Sequence, residues 1–150
     1  MAANVAIGYM NTIQPLNFQF SVTIADSGCD GTTAATGAQS LIDAGVVGIA
    51  GAACSGATLG AIEVAKTAGV PMVSYASTSP AITNYDDDGY LFRVVPSDAQ
   101  QGQALADAYT ASGYENPAII AMTNDYGAGF HGAFKDNYLG DICSESTYDD

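Results

Sequence analysis

Hydroxyl side chains follow two apolar segments of this chain, where each segment gives way to a turn. Ser55 comes after the apolar run 46–52, and Ser77 and Thr78 come after the run 71–75. Ser55 also precedes a segment with helical periodicity, whose first N–H groups lack intrahelical partners and lie at the positive end of the helix dipole. Ligands of open α/β sheets bind outside the carboxyl ends of the strands. The sequence therefore predicts a site for a small polar molecule, with a preference for an anion, at these turns.

Each of these residues also has a structural role open to it. Ser favours the N-cap of a helix, so Ser55 could simply begin the helix that follows it. Ser77 and Thr78 could satisfy the backbone of their own turn. The residue types alone leave both roles open.

The elements that would position the turns alternate along the chain. Helical periodicity or capping signals predict helices over 3–13, from Thr32 or Thr33 to 44, and over 56–68, 97–111 and about 128–139. Strand-like runs cover 18–26, 46–52, 71–75, 90–95, 116–123 and, more weakly, 142–148. This alternation predicts an α/β fold with a mainly parallel sheet and helices on both faces, in three αβα layers. The apolar face predicted for helix 56–68 consists of Ala57, Ala61, Ile62 and Ala65.

Composition excludes several classes of function. The chain has 150 residues, 16 acidic and three basic side chains, and a net charge of −13. Nucleic acids and anionic membrane surfaces are recognised by basic side chains, so neither is an expected partner. No apolar run approaches the roughly 20 residues of a membrane-spanning helix. The first residues lack the pattern of a signal peptide.

Catalytic and cofactor motifs are also missing. With His131 as the single histidine, a metal site is not expected. Neither a Gly-x-Gly-x-x-Gly motif nor a Walker lysine is present, so no cofactor is predicted. A hydrolase that uses Ser55 with His131 ranks well behind a binding function, because the Gly-x-Ser-x-Gly motif is lacking.

Four segments, in this order, resemble type I periplasmic binding proteins: DSGCDGTTAATGAQSLIDAGVVGIAGAACSGAT, GVPMVSYASTSPAIT, YLFRVVPSDAQQGQALA and TNDYGAGFHGAFKD. The sequence is most similar to the branched-chain amino acid receptors of ABC transporters, and also to the ligand domains of metabotropic glutamate receptors. The resemblance implies that 1–93 correspond to most of the first lobe and 97–150 to the start of the second, within one compact unit. A signal peptide and first strand would precede this segment, and the rest of the second lobe would follow it.

A missing first strand has physical consequences. In the family, that strand lies between the strands that match 18–26 and 46–52, and an empty position would orphan backbone groups on both sides. Strand 116–123 could fold back to give one five-stranded, flavodoxin-like sheet, or two chains could exchange strands in a homodimer. We expect a compact unit that also dimerises.

The resemblance also implies roles for individual residues. The family positions that match Ser55, Ala76, Ser77 and Thr78 hold the carboxylate and ammonium of an amino acid, and Tyr126 matches an aromatic residue that stacks on the ligand. The family acid that pairs with the ammonium is expected beyond residue 150. Cys29 and Cys54 match a disulfide pair, which leaves Cys143 without a partner.

The resulting hypothesis is a non-catalytic solute-binding module, periplasmic or extracellular in its full-length parent, which would dock on an ABC permease. Binding by this segment is expected to be weak or lost, because a one-sided site excludes water poorly. The alternative is a stand-alone flavodoxin-like domain with a vestigial or different anion site.

Overall fold

A computed structural model describes residues 2–13 and 19–149 of the chain. Helices and parallel strands alternate along the described residues, which confirms the predicted fold class. The helices are α1 (Ala2–Ile13), α2 (Gly31–Asp43), α3 (Ser55–Thr67), α4 (Pro80–Thr83), α5 (Asp98–Ala111) and α6 (Asp125–Asn137). The strands are β1 (Ile49–Ala50), β2 (Met72–Ser74), β3 (Leu91–Arg93), β4 (Ala118–Met122) and β5 (Ser144–Tyr148).

The first sheet has the order β1-β2-β3, and all its strands run parallel. Alternate residues of β2 and β3 point to opposite faces: Met72 and Leu91 are buried, whereas Val73 and Phe92 are exposed. The buried face packs on α2 and α3, and the predicted apolar face of α3 is buried as expected. Small Ala side chains let the helices approach the sheet closely, so the core contains many Ala residues and few large side chains.

Residues 19–26 form no strand pairing in the structure, which corrects the prediction of a strand over 18–26; residue 18 lies outside the described residues. A cavity of about 120 Å³ separates residues 25–27 from β1 and is lined on its floor by α2. A strand forms only where a neighbour accepts its hydrogen bonds. The segment therefore lacks the partner strand that its sequence pattern requires.

Strand β4 pairs with β5 in a second, two-stranded parallel sheet and does not join the first sheet. The five-stranded, flavodoxin-like alternative is therefore wrong for β4. All five residues of β4 are in register with β5, from Ala118 opposite Ser144 to Met122 opposite Tyr148. Together with α6 these strands form a βαβ unit, in which β4 finds its partner locally.

Helices α2 and α6 show the main differences between predicted and observed helix ends. Asp30 caps α2 in place of Thr32 or Thr33: its Oδ1 accepts the backbone N–H and the hydroxyl of Thr33, both at 2.8 Å. The backbone hydrogen bond from Thr33 is the main reason that the pKa of Asp30 is lowered. Helix α6 ends at Asn137, ahead of the predicted stop at Gly140. Asp ranks above Thr as an N-cap residue, which favours a helix that begins directly after Asp30.

Candidate functional site

The turns that follow β1 and β2 meet at the start of α3. The backbone N–H of Ser79 donates to Ser55 Oγ at 3.3 Å, and both residues are buried. Ser55 is the first residue of α3 and not its N-cap. The structure thus brings Ser55 next to the Ser77–Thr78 turn, as the sequence pattern predicts for the carboxyl ends of adjacent parallel strands.

The N-cap residue of α3 provides no side-chain cap. Cys54 occupies the N-cap position and makes no capping hydrogen bond. Its sulfur is joined to Cys29 in a disulfide, with Cα atoms 5.3 Å apart. Because the first N–H groups of a helix lack intrahelical partners, this end of α3 attracts negative charge.

A buried carboxylate lies on the other side of the same turn. Thr78 Oγ1 donates to Asp98 Oδ2 at 2.7 Å, and the backbone N–H of Asp98 donates to the carbonyl of Thr78 at 2.8 Å. Asp98 is fully buried, and its Oδ1 has no hydrogen-bond partner among the described residues. Uncapped donors at α3 and an acceptor without a donor at Asp98 therefore flank Thr78 and Ser79.

Ser77 has a different environment from Thr78. Its hydroxyl and its backbone N–H are engaged with buried groups of the chain: Ala53 O at 2.9 Å and Ser74 Oγ at 3.0 Å respectively. A ligand contact by Ser77 stays a prediction, and these bonds favour a supporting role. Ala76 is exposed at the same turn.

Tyr126 lies at the start of α6 and is 41% exposed. Its ring is 6.3 Å from that of Phe130, on the same helix. The neighbouring Asp125 reaches the start of α3, where a Cβ added to Gly56 would lie 2.7 Å from its Oδ2. The helix that carries Tyr126 therefore approaches the site, although the stacking role of Tyr126 stays a prediction.

A groove of about 380 Å³ runs between α6 and the first residues of α4, beside the turn. Ser79 and Pro80 line it from one side, and Asp125, Gly129 and Asp136 from the other. Neither Ser55 nor Thr78 reaches its wall. The groove therefore adjoins the predicted residues without containing them.

Sequence reasoning missed Asp98 and Arg93. Asp98 follows the N-cap Ser97 and resembles an ordinary acidic residue of a first helical turn. Arg93 Nη1 donates to the carbonyl of Ser79 at 3.0 Å, and its Nη2 also bonds the Thr83 hydroxyl. The sequence signal was that Arg93 and Asp98 lie on either side of Pro96. This signal predicts neither the burial of Asp98 nor the hydrogen-bond partners of the two residues.

No catalytic pair forms around Ser55. Among the described residues, its hydroxyl bonds the Ser79 N–H, while His131 Nε2 lies 2.8 Å from Glu145 Oε2. The described part of the chain contains no His, Cys, Asp and Glu group suited to a metal ion. No described helix is long and apolar enough to cross a membrane.

Parallel α/β folds with a few convergent polar groups outside the carboxyl ends of their strands are a class of protein that binds small molecules there. The chain belongs to a family of this class, the receptor family ligand binding region, whose family model matches residues 1–141.

Solved structures of bacterial binding proteins are similar to nearly the whole chain. The ABC transporter substrate-binding protein from Desulfitobacterium hafniense in complex with Leu is 27% identical, with a TM-score of 0.81 over 97% of this chain and 44% of that chain. The branched-chain amino acid transporter substrate binding protein LivJ from Streptococcus pneumoniae in complex with isoleucine is also 27% identical, with a TM-score of 0.85 over 97% of this chain and 42% of that one.

Curated relatives match a shorter stretch. Human metabotropic glutamate receptor 8 is 31% identical over 100 residues, which are 65% of this chain and 11% of the receptor. Rabbit (Oryctolagus cuniculus) metabotropic glutamate receptor 6 is 33% identical over 82 residues, 55% of this chain and 9% of the receptor. The chain thus spans under half the length of these solved proteins and about a tenth of these receptors.

Proposed function

We propose that this chain is a non-catalytic solute-binding module that holds the charged head of a free amino acid at the Ser55–Thr78 turns. The full-length parent would be a periplasmic or extracellular receptor that delivers its ligand to an ABC permease. Two of the solved relatives were captured with leucine or isoleucine, which supports an aliphatic amino acid as the first ligand to test.

The observation that carries the proposal is Asp98 Oδ1, which has no hydrogen-bond partner among the described residues. A buried carboxylate oxygen without a donor loses the solvation it would have in water, at a cost of at least about 1–3 kcal/mol. An ammonium group supplies three N–H donors and a compensating charge. Thr78 Oγ1, which donates its own hydrogen to Asp98 Oδ2, is left as a second acceptor for the same ammonium, and the carbonyl of the exposed Ala76 is a candidate third.

The carboxylate of the same amino acid would lie at the N-terminus of α3. This end has uncapped N–H donors and the Ser55 hydroxyl, whose oxygen already accepts from Ser79 and whose hydrogen is left to donate. Anions are stabilised at such helix ends by the free donors and the dipole together. The proposed ligand therefore bridges the two unlike charges of the site.

Binding is expected to be weak in this segment. The matched region supplies one side of the cleft and the first helices of the other, so the bound charges stay partly hydrated. We expect a dissociation constant in roughly the millimolar range, equivalent to about −4 kcal/mol. A homodimer formed by strand exchange, suggested by the gap beside β1, stays a prediction.

The test is an NMR titration of the 15N-labelled chain with L-leucine. The amides of Ser55, Ala76 and Thr78 should shift and saturate together. Asp98→Asn keeps the shape of the side chain and removes its charge, so it should weaken leucine binding at least tenfold. Asp107→Asn, at an exposed position of the same helix, is the matched control and should bind as wild type does.

Ligand analogues separate the two halves of the site. N-acetyl-L-leucine lacks the ammonium, so its weaker binding should be the same in wild type and Asp98→Asn. If leucine and other free amino acids cause no saturable shifts in wild type, the proposed function is wrong and the alternative of a vestigial site gains support.

A further inference from the structure

Three buried hydroxyl groups lie directly behind the proposed site. Thr58, Ser74 and Ser77 are each at most 1% exposed and belong to α3, β2 and the turn after β2. They surround the carbonyls of Ala52 and Ala53, in the turn that leads from β1 into α3. The question is which way each hydroxyl hydrogen points, since this decides what is left for a ligand.

The shortest contacts give one direction to the first chain of bonds. The N–H of Ala52 can only donate, and it lies 3.1 Å from Thr58 Oγ1. Thr58 Oγ1 lies 2.8 Å from Ser77 Oγ, which in turn lies 2.9 Å from the carbonyl of Ala53, a group that can only accept. An order that satisfies all these groups along the shorter contacts runs from the Ala52 N–H through Thr58 and Ser77 to the Ala53 carbonyl. The Ala52 carbonyl is a second acceptor, 3.3 Å from Thr58 Oγ1 and 3.2 Å from Ser77 Oγ.

A second chain closes the arrangement. The N–H of Ser77 donates to Ser74 Oγ at 3.0 Å, and Ser74 Oγ donates to the carbonyl of Ala52 at 2.7 Å. All three hydroxyl hydrogens then have an acceptor within the protein. A buried polar network in which each member is satisfied is rigid and specifies one arrangement.

We propose that Thr58, Ser74 and Ser77 are positioning residues, which lock the turn after β1 to the turn after β2 and do not contact the ligand themselves. The inference rests on the proposed function for the site that they support. It assigns Ser77 to the supporting set. It leaves Ser55, two residues after Ala53, and Thr78, directly after Ser77, to meet the ligand. Losing the Thr58 hydroxyl orphans the N–H of Ala52, and losing the Ser74 hydroxyl orphans the N–H of Ser77, so either loss frees both turns.

The experiment compares two substitutions of Thr58 in the intact chain. Thr58→Val keeps the side-chain shape and removes the hydroxyl, whereas Thr58→Ser keeps the hydroxyl. Thr67→Val is the matched control, because the Thr67 hydroxyl bonds only the Glu63 carbonyl on an exposed part of α3. Dissociation constants for L-leucine are measured by NMR at 15 °C, with each variant shown to be folded by its dispersed spectrum.

Thr58→Val should weaken leucine binding about tenfold, the loss expected when one buried hydrogen bond no longer holds the site. Thr58→Ser should stay within about twofold of wild type, and Thr67→Val should be unchanged. A folded Thr58→Val that binds leucine like wild type overturns the inference and leaves the proposed function intact. If Thr58→Val does not fold, Ser74→Ala is measured in its place against the same prediction.

Amide hydrogen exchange tests the hydrogen-bond network of Thr58, Ser74 and Ser77 without any ligand. The N–H groups of Ala52 and Ser77 should exchange at least tenfold faster in Thr58→Val than in Thr67→Val. If wild type binds no amino acid, the proposed function fails. The exchange result alone then decides whether the three hydroxyls hold the two turns together. Unchanged exchange at the amides of Ala52 and Ser77 contradicts this positioning role.

Discussion

Helices α2 and α3 pack closely against each other beside the site, and Gly60 lies at this contact. A Cβ added to Gly60 would lie 2.2 Å from the carbonyl oxygen of Gly31, a backbone atom that no side-chain rotation can move. Bringing this pair to the roughly 3.3 Å of a close carbon–oxygen contact requires α3 to move by about 1 Å. Gly60→Ala is therefore predicted to force the two helices apart.

The magnitude follows from two opposing effects. Overpacking a tight contact costs about 1–3 kcal/mol, and a backbone obstacle places this contact near 3 kcal/mol. Replacing Gly by Ala inside a helix gains about 1 kcal/mol. The free energy of unfolding of Gly60→Ala should thus fall by about 2 kcal/mol, which corresponds to roughly 4–8 °C in melting temperature for a chain of this length.

Gly132→Ala is the control, because nothing lies within 4 Å of a Cβ built at this position of α6. Only the helix-propensity gain of about 1 kcal/mol remains there, so its melting temperature should rise by roughly 2–4 °C. Both variants are measured by circular dichroism during heating. If Gly60→Ala melts at or above the wild-type temperature, the close packing of α3 on α2 is refuted.

Two further perturbations test other parts of the fold. The Cys29→Ala/Cys54→Ala double variant opens a loop with a sequence separation of 25, so its free energy of unfolding in urea should fall by about 3–4 kcal/mol; an unchanged midpoint would contradict a closed disulfide. The pKa of Glu145 is lowered mainly by its hydrogen bond from Lys135, so this contact stabilises the fold above the ordinary pKa of Glu and is lost as the pH falls through the folded-state pKa. Glu145→Gln should accordingly melt below wild type at pH 7 and together with it at pH 2, and a difference that persists at pH 2 would show that charge is not the cause.

Local sequence patterns were sufficient for most of the elements. The spacing of Ala57, Ala61, Ile62 and Ala65 predicted the buried face of α3, because helical periodicity depends only on residues within a few turns of one another. The carboxyl ends of adjacent parallel strands lie at one edge of a sheet whatever the side chains are. For this reason the meeting of Ser55 with the turn after β2 was predictable before any coordinates.

Pairing and burial depended on parts of the chain that are distant in sequence. Residues 19–26 have a strand-like pattern but no strand partner, and β4 pairs with β5 in a sheet of its own. The sequence of a strand records which of its faces is apolar and not which neighbour it meets, so strand order was decided by tertiary structure.

The charges of the site show the same division. The sequence by itself determined an α/β fold, a polar turn after each of two strands and a helix directly after Ser55. Only the tertiary structure decided that Asp98 is buried against Thr78, with one oxygen that has no partner among the described residues, and that the Ser77 hydroxyl bonds buried groups of the chain. The physical reason is that the sequence does not show whether water or protein surrounds an acidic residue in the first turn of a helix. The free energy of its charged carboxylate depends on these surroundings.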